Sequence, residues 1–532
     1  MPREHKRRPF TKSTYSRPLI NFAWRICVGV IWLGGAVSPI GAQSSQQADN
    51  GNHGTSSATP VPLSGLQGRP GTVGSSQSTV AGGSGDSALV SSGSVSVQGA
   101  YAGSVPTGDN TGTILPLRLD YAVKLGLRYN LGAVSEAESV RQAEGLQRVA
   151  RSGLLPQVNT VVSETVEQIN LRTLGVTESS FPLAVGPFNF FDARAARVTQ
   201  AVLDLVRRQN LRTSNENLKA ASLAAKDARD LVVLAVGGSY LQIIALNARI
   251  DAATAQVQTS QTVYDQAVDR LTDGLNARID TTRTHVQLQI DQQRLRSLVA
   301  DRDRQKLKLA RLIGLPLGQE FSIADDFPYA PLAITLPDAL ERAGKSRADL
   351  QAAQAGMLAA ESALKAAHAE RLPNVTLMAD YGAAGLRPTA SAHGVFDVTG
   401  TLNIPLYQGG RIRGEVEQAE ATIRQRRAEV EDQRGQVDQD VREAFIDLKA
   451  AADQLEVARS NVDLAEDTLR QARDRFSDGV ADTVEIVQAQ QSVTQAHDDY
   501  IGALFAYNLG KAALARAMGD AESNLQQFLA GK

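Results

Sequence analysis

The second half of this 532-residue chain repeats the first. The repeat is best preserved at two short turns, each following a long run of helix-forming residues. Arg270-Leu271-Thr272-Asp273-Gly274-Leu275 opens a segment that closes at Leu309-Ala310-Arg311 and Gly314. At an offset of 205 residues, Arg475-Phe476-Ser477-Asp478-Gly479-Val480 opens one that closes at Leu514-Ala515-Arg516 and Gly519. Landmarks matched at both ends mean two copies of one supersecondary unit, packed about a pseudo-twofold relation. Upstream, Leu155-Pro156-Gln157-Val158 matches Leu372-Pro373-Asn374-Val375 at an offset of 217. Leu117, Leu119 and Ala122 match Ile334, Leu336 and Ala339 at that same offset. Val202-Leu203-Asp204 with Arg207 then matches Leu406-Tyr407-Gln408 with Arg411 at 204. The drop places one length difference between Val158 and Val202, predicted as a longer first-copy loop around Leu174 to Pro187. Each repeat reads as helix, two extended segments, long helix, turn, helix.

Little outside the repeats is expected to carry structure. Arg3, Lys6, Arg7, Arg8, Lys12 and Arg17 form a basic head, followed by the apolar run Ile26 to Val37 and then Gly41-Ala42. That is the layout of a secretory signal over 1–42, and the run is too short for a stable bilayer anchor. Without it the chain keeps 48 of 55 basic and 56 of 57 acidic residues, a net charge of −8. A chain this acidic has no footprint for nucleic acid. The single cysteine, Cys27, lies inside the signal, so the mature chain has no disulfide chemistry. Residues 43–112 are rich in Gly, Ser, Gln and Thr and are predicted to stay a disordered tail, because they offer little apolar surface to offset ordering entropy. The repeats are assigned to 113–319 and 320–532.

No proline interrupts Val206 to Asp273 or Arg411 to Asp478. Each stretch of about 68 residues would reach roughly 100 Å at 1.5 Å per residue. Helices this long belong to coiled coils or other extended helical assemblies. The remaining helical stretches, about 119–152, 280–314, 337–370 and 482–519, are half as long, so two placed end to end match one long helix. In the last, Ile486, Val493, Tyr500 and Tyr507 recur every seven residues, with Ala489, Ala496, Ala503 and Gly510 at the offset position. A large series beside a small one lets two helices approach along a seam. The first-copy equivalent keeps Leu288, Leu295 and Leu298 but places Asp291 and Arg302 in the series, predicting a weaker or differently phased seam.

Helical periodicity alone fits a charged coiled-coil scaffold without a pore. The extended pairs argue for more. Val375, Leu377, Ala379 and Tyr381 alternate with Asn374, Thr376, Met378 and Asp380. Phe396, Val398, Leu402, Ile404 and Leu406 alternate with Asp397, Thr399, Thr401 and Asn403. Period-two alternation gives one apolar and one polar face, over lengths that suit a tilted bilayer-crossing strand. On this reading Leu402 and Ile404 face lipid or a neighbouring apolar surface, and Thr401 and Asn403 face a lumen. Four strands cannot close a barrel, and open edges cannot face lipid, so closure needs several chains. Three chains would supply about twelve strands, a number suited to a small barrel.

The chain resembles the TolC-like outer-membrane efflux proteins. The residues that carry the resemblance are the Leu-Pro-x-Val approaches to the strands, the exit Ile404-Pro405-Leu406-Tyr407-Gln408-Gly409-Gly410-Arg411 and the two Arg-x-x-x-Gly hinges. Val484-Glu485-Ile486-Val487-Gln488-Ala489-Gln490 and Ala513-Leu514-Ala515-Arg516-Ala517-Met518-Gly519 add to it. It covers about 113–520. The implied fold is mainly α with a small β part: a long-helix α-barrel continued by a trimeric transmembrane β-barrel, four strands per chain. The implied role is the outer-membrane channel of a tripartite efflux or type I secretion system. The implied partners are two further copies of the chain, outer-membrane lipid, a periplasmic adaptor, and an inner-membrane pump or ABC transporter. No enzyme activity, cofactor or metal is implied.

Site residues follow from the same resemblance. Asp273, Gly274 and Leu275, with Asp478, Gly479 and Val480, would contact the adaptor at the hinge tips; read from the residues, both glycines are also plain helix stops. Family members close the tunnel with acids after the second hinge. Glu485 keeps one such acid here, and Gln488 replaces the other with an amide. Asp280 corresponds to an acid that a family arginine ties down, but Ala481 occupies that arginine's place. Glu485 is also an ordinary acid for a helix start, where the helix dipole favours it. Ser362-Ala363-Leu364-Lys365 has the spacing of some acyl-transfer enzymes but lies mid-helix without companion motifs.

Overall fold

The structure, a computed structural model, describes residues 72–80, 90–170 and 184–530, apart from 107, 111, 275–276, 326, 328, 333, 389–390, 478–479 and 481–482. In chain order the elements are β1 (Val73–Val80), β2 (Val90–Val97), a 3-10 turn (Gly99–Ala102), β3 (Leu115–Leu117), α1 (Leu119–Tyr129) and α2 (Leu131–Ser152). There follow β4 (Gln157–Asn170), β5 (Ala184–Leu203), α3 (Leu205–Thr272), α4 (Arg278–Ile313) and β6 (Phe321–Ile323). The second repeat supplies α5 (Leu336–Ser346), α6 (Ala348–Ala369), β7 (Asn374–Gly385), β8 (His393–Asn403), α7 (Arg411–Ser477) and α8 (Thr483–Ala517), and α9 (Ala521–Ala530) closes the chain.

The long helices stand where the missing prolines place them, α3 with 68 residues and α7 with 67. Asp204 caps α3 by accepting the Arg207 backbone N–H at 2.9 Å, satisfying one donor that a helix start leaves unpaired. The α3 segment around Val232 to Leu246 is apolar enough to cross a membrane, but 78% of its most apolar window is buried. Val232, Val233, Leu241 and Ile243 pack there against α1, α4, α8 and α9, so this is core.

Two expectations need correction. The stretches 119–152 and 337–370 are each two helices, broken at Asn130 and at Arg347. Both residues are extended, with φ −62°, ψ 133° and φ −65°, ψ 115°. Each is buried and tied to a distant helix end, and these tertiary bonds outweigh local helix propensity. The predicted tail is also ordered over its described part. β1 and β2 pair antiparallel, and Val95 seats in the notch left by Gly238 on α3, where a side chain would collide with it. Tyr101 fills the space over Gly132 in the same way. The tail's own composition is too polar for a core, and the helices supply the apolar surface it lacks. The signal and the rest of the tail lie outside the described residues.

The seam of α8 is as read: Ile486, Ala489, Ala496, Ala503 and Tyr507 are buried, and a Cβ on Gly510 would lie 3.4 Å from the Leu448 backbone of α7. The first-copy seam is differently built rather than merely weaker. Asp291 is buried and accepts hydrogen bonds from Ser260 of α3 at 2.5 Å and from Gln287 at 3.0 Å. A satisfied polar layer of this kind fixes register instead of adding hydrophobic energy.

Both repeats feed one antiparallel sheet of order β4-β5-β7-β8. Its register joins Val375 to Leu402, Ala379 to Val398 and Tyr381 to Phe396 on one face, and Thr376 to Thr401 and Asp380 to Asp397 on the other. The apolar row runs on through Val198 to Val158, across both repeats. The described part of the length difference is strand: β4 and β5 have 14 and 20 residues against 12 and 11 for β7 and β8. Most of the predicted extra loop lies outside the described residues, and its last part, from Ala184, is strand. Leu402 is the penultimate residue of β8 and Ile404 lies beyond it, so the strand's midpoint is Val398.

Candidate functional site

At the first hinge the α3 helix closes on itself. The Asp273 N–H donates to the Asp269 carbonyl at 3.0 Å, and the Gly274 N–H donates to Leu271 at 3.1 Å. Gly274 has φ +72°, and a side chain there would meet open space. The backbone conformation, not crowding, demands glycine. Leu275, Asp478, Gly479 and Ala481 lie outside the described residues. Around the second hinge the Val480 N–H donates to the Arg475 carbonyl at 2.9 Å, a six-residue closure that satisfies a helix-end carbonyl. Val480 itself is 70% exposed.

The acids behind the hinges are held differently. Asp280, in the first turn of α4, sits 3.7 Å from Arg283 on its own helix. Glu485, in the first turn of α8, sits 3.3 Å from Arg475, which reaches back across the hinge from α7. Ala481 therefore does not leave the region without a salt link; an arginine six residues earlier supplies one. Gln488 and Arg283 line a common groove of about 540 Å³ between the starts of α4 and α8. Ile279, Val286, Val484 and Val487 make its apolar walls. The structure thus gathers Gln488 and the partner of Asp280 into one groove, while Glu485 is pinned beside it.

Two contacts at this end have no counterpart in the sequence reading. The Arg270 guanidinium lies 4.0 Å from the centre of the Phe476 ring, tying the end of α3 to the end of α7. Phe476 is buried with Val263, Leu469, Ala472, Ile486 and Ala489. A cation over an aromatic face is worth about 0.5–2 kcal/mol depending on desolvation. Tyr264 and His285 stack at 5.0 Å across α3 and α4. A signal for the first contact was present: the two hinges differ at their second residue, Leu271 against Phe476. Ser362 and Lys365 lie inside α6, away from this end.

On the sheet, Asp380 is buried under two arginines of the other repeat, Arg194 at 2.7 Å and Arg197 at 3.2 Å. This network sits where β5 has a register irregularity between Arg194 and Ala196, and it pins the two hairpins together on the polar face. The sheet's outer edges, β4 and β8, have no strand partner among the described residues. Phe396 and Val398 on β8 are 79% and 65% exposed.

Such a sheet, apolar on one face, open at both edges and continued by helices of nearly 70 residues, is the layout the resemblance implied. The family model described as Outer membrane efflux protein matches residues 339–520, nearly the whole second repeat. Over that stretch the chain matches the outer-membrane efflux family, and its fold is TolC-like. It is an outer-membrane protein that extends into the periplasm. The chain is 25% identical over 315 residues to the pyoverdine export outer membrane protein OpmQ of Pseudomonas putida, covering 57% of this chain and 64% of OpmQ. It is 25% identical over 304 residues to the toluene efflux pump outer membrane protein TtgF of the same species, covering 56% and 61%. The matches thus span about three-fifths of these relatives' own lengths. Among solved structures, the outer membrane protein VceC of Vibrio cholerae superposes with a TM-score of 0.64 at 20% identity, covering 75% of this chain and 96% of VceC. A membrane protein from Pseudomonas aeruginosa does so with 0.67 at 17% identity, covering 78% and 96%. These likenesses establish the fold: a mainly helical chain with a small strand part, of the α-barrel channel type.

Proposed function

We propose that this chain is the exit duct of a tripartite export system, carrying small organic molecules from an inner-membrane pump and a periplasmic adaptor across the outer membrane. The observation that carries the proposal is the four-stranded sheet with one apolar face and two edges that have no strand partner among the described residues. Lipid tolerates no open edge, so the strands must close with those of other copies. Three copies would close a barrel of about twelve strands, and their helices would line the tunnel beneath. The names of OpmQ and TtgF, with pyoverdine and toluene as cargo, favour efflux over protein secretion. No catalytic step is assigned to the chain, and the energy comes from the pump.

The hinge ends fit an adaptor. Asp273, Gly274 and exposed Val480 stand where another helical hairpin can meet them, and the groove at Gln488 offers an apolar seat at the same end. Glu485 and Asp280 are the gate acids in this reading. The gate is held from α7 by Arg475 rather than by a residue at 481.

Extraction of the full chain from outer membranes, with cross-linking and planar-bilayer conductance, tests the proposal. A detergent-soluble trimer with ion conductance is expected. Recovery as a soluble monomer from the periplasm would overturn it.

A further inference from the structure

Where the break at Arg347 meets α3, a largely buried group of charges joins the two repeats. Asp227 and Asp230 come from α3, one turn apart. Arg516, from the last turn of α8, lies 2.7 Å from Asp227. Arg347 and Asp349 come from the α5–α6 break, Asp440 from α7 and Glu522 from the start of α9. Arg347 is committed to Asp349 at 2.9 Å and Asp440 at 2.5 Å, and Arg229 to Glu522. Asp230 accepts the Glu522 backbone N–H at 2.8 Å. Lys226 stands exposed beside Asp230, and Glu136 of α2 lies near Tyr101, as do Asp227 and Arg516.

Across this group five carboxylates (Asp227, Asp230, Asp349, Asp440, Glu522) face three guanidinium groups (Arg229, Arg347, Arg516) and the Lys226 ammonium, with Arg229 and Glu522 nearest solvent. Away from bulk water, an excess of like charge is relieved by taking up a proton. Asp227 is the carboxylate placed to take it. Its partner Arg516 is close, but the contact lacks hydrogen-bond geometry, so charge alone holds the pair. The Asp227 side chain keeps 20% exposure, enough for a proton to reach it. We propose that Asp227 and Arg516 form a proton-operated clasp between the two repeats, which makes the helical junction more stable when the periplasm turns acid.

The direction follows from burial. Burial pushes the Asp227 carboxyl up to about 6 from 3.8, with Arg516 opposing and Asp349 adding to the rise. The folded chain therefore holds this proton more tightly than the unfolded one. The stability it contributes is complete below about 3.8 and is lost as pH rises through about 6. At neutral pH the ionised Asp227 is a strained member of the junction.

Thermal melting of the full chain in detergent, between about pH 5 and 8, tests this. The wild type should gain a few degrees as pH falls through about 6. Asp227→Asn should flatten that gain and be at least as stable as the wild type at neutral pH. Asp438→Asn, at an exposed acid on α7 paired with Arg442, should keep the wild-type slope. An unchanged slope in Asp227→Asn, or a slope lost equally in Asp438→Asn, overturns the proposal. Should Asp227→Asn not fold, Arg516→Gln must move the transition to higher pH, because the ion pair that favours ionised Asp227 is gone. A transition that stays in place overturns the clasp.

Discussion

Asn130 and Arg347 stand 217 residues apart, at the same break in the two repeats, and do the same mechanical work with different chemistry. The Asn130 amide donates to the Tyr101 carbonyl at 2.8 Å and to the Leu312 carbonyl at 3.2 Å, while its oxygen accepts the Gly132 N–H. Arg347 donates to the Ala517 carbonyl at 3.3 Å, so each residue closes the end of the hairpin helix in its own repeat. The amide needs nothing more. The guanidinium brings a charge that must be matched, and Asp349 and Asp440 match it. Duplication thus preserved a backbone geometry and left its chemistry free. The charged version gathered the acids among which Asp227 lies, so a group shifted by burial stands where the second repeat meets α3.

The sharpest way to break this comparison is to remove the charge. Arg347→Met should destabilise the chain by about 3 kcal/mol, the lower end for a broken buried pair because the Asp440 side chain keeps 30% exposure. Denaturant or thermal unfolding reads this, and an effect below that of Asn130→Ala would contradict the assignment of chemistry to the two breaks. The sheet, where the repeats share one apolar row, tests whether they also act together. Val398→Arg at mid-strand should cost about 2–4 kcal/mol in assembly if it sits at mid-bilayer. Leu402→Arg, one residue from the strand end, should cost about 0–1 kcal/mol, and Thr399→Arg on the opposite face should leave trimer yield close to wild type. Equal yields for all three would refute the faces. Asn130→Ala comes next, at about 1–3 kcal/mol, since a buried N–H and two carbonyls lose their partner without an exposed charge. The smallest effect on stability belongs to the proposed gate. Glu485→Gln should leave melting within about 0.5 kcal/mol yet lower cation selectivity in bilayers, because it also frees Arg475 across the hinge. Asp280→Asn, whose arginine lies on its own helix, should change selectivity less. Identical selectivity in both variants and the wild type would place the gate elsewhere.

Much of this was legible in the residues. The proline-free runs marked α3 and α7 to within two residues, because a helix of that length is a local property of backbone and composition. Period-two alternation marked β7 and β8 for the same reason. The breaks at Asn130 and Arg347 were not legible, since the hydrogen bonds that pay for them come from Leu312 and Ala517, residues roughly 170 to 180 positions away. The hairpin of β1 and β2 was missed because Val73, Val95 and Val97 join a core only against the helices around Gly238. The hinge glycine was read correctly as a stop, while Arg270 over Phe476 required two helix ends to meet.

The sequence by itself determined the duplicated unit, the lengths of the two long helices and the strand faces, and it motivates the proposal that other copies close the sheet. Each of these depends on periodicity, backbone restriction or the intolerance of lipid for open edges, and all are written in neighbouring residues. Tertiary structure alone decided which charges meet: Arg475 with Glu485, Arg347 with Asp440, Arg516 with Asp227. Those pairs join elements far apart in the chain, and the strength of a charge contact depends on distance and burial, which only the packed fold sets.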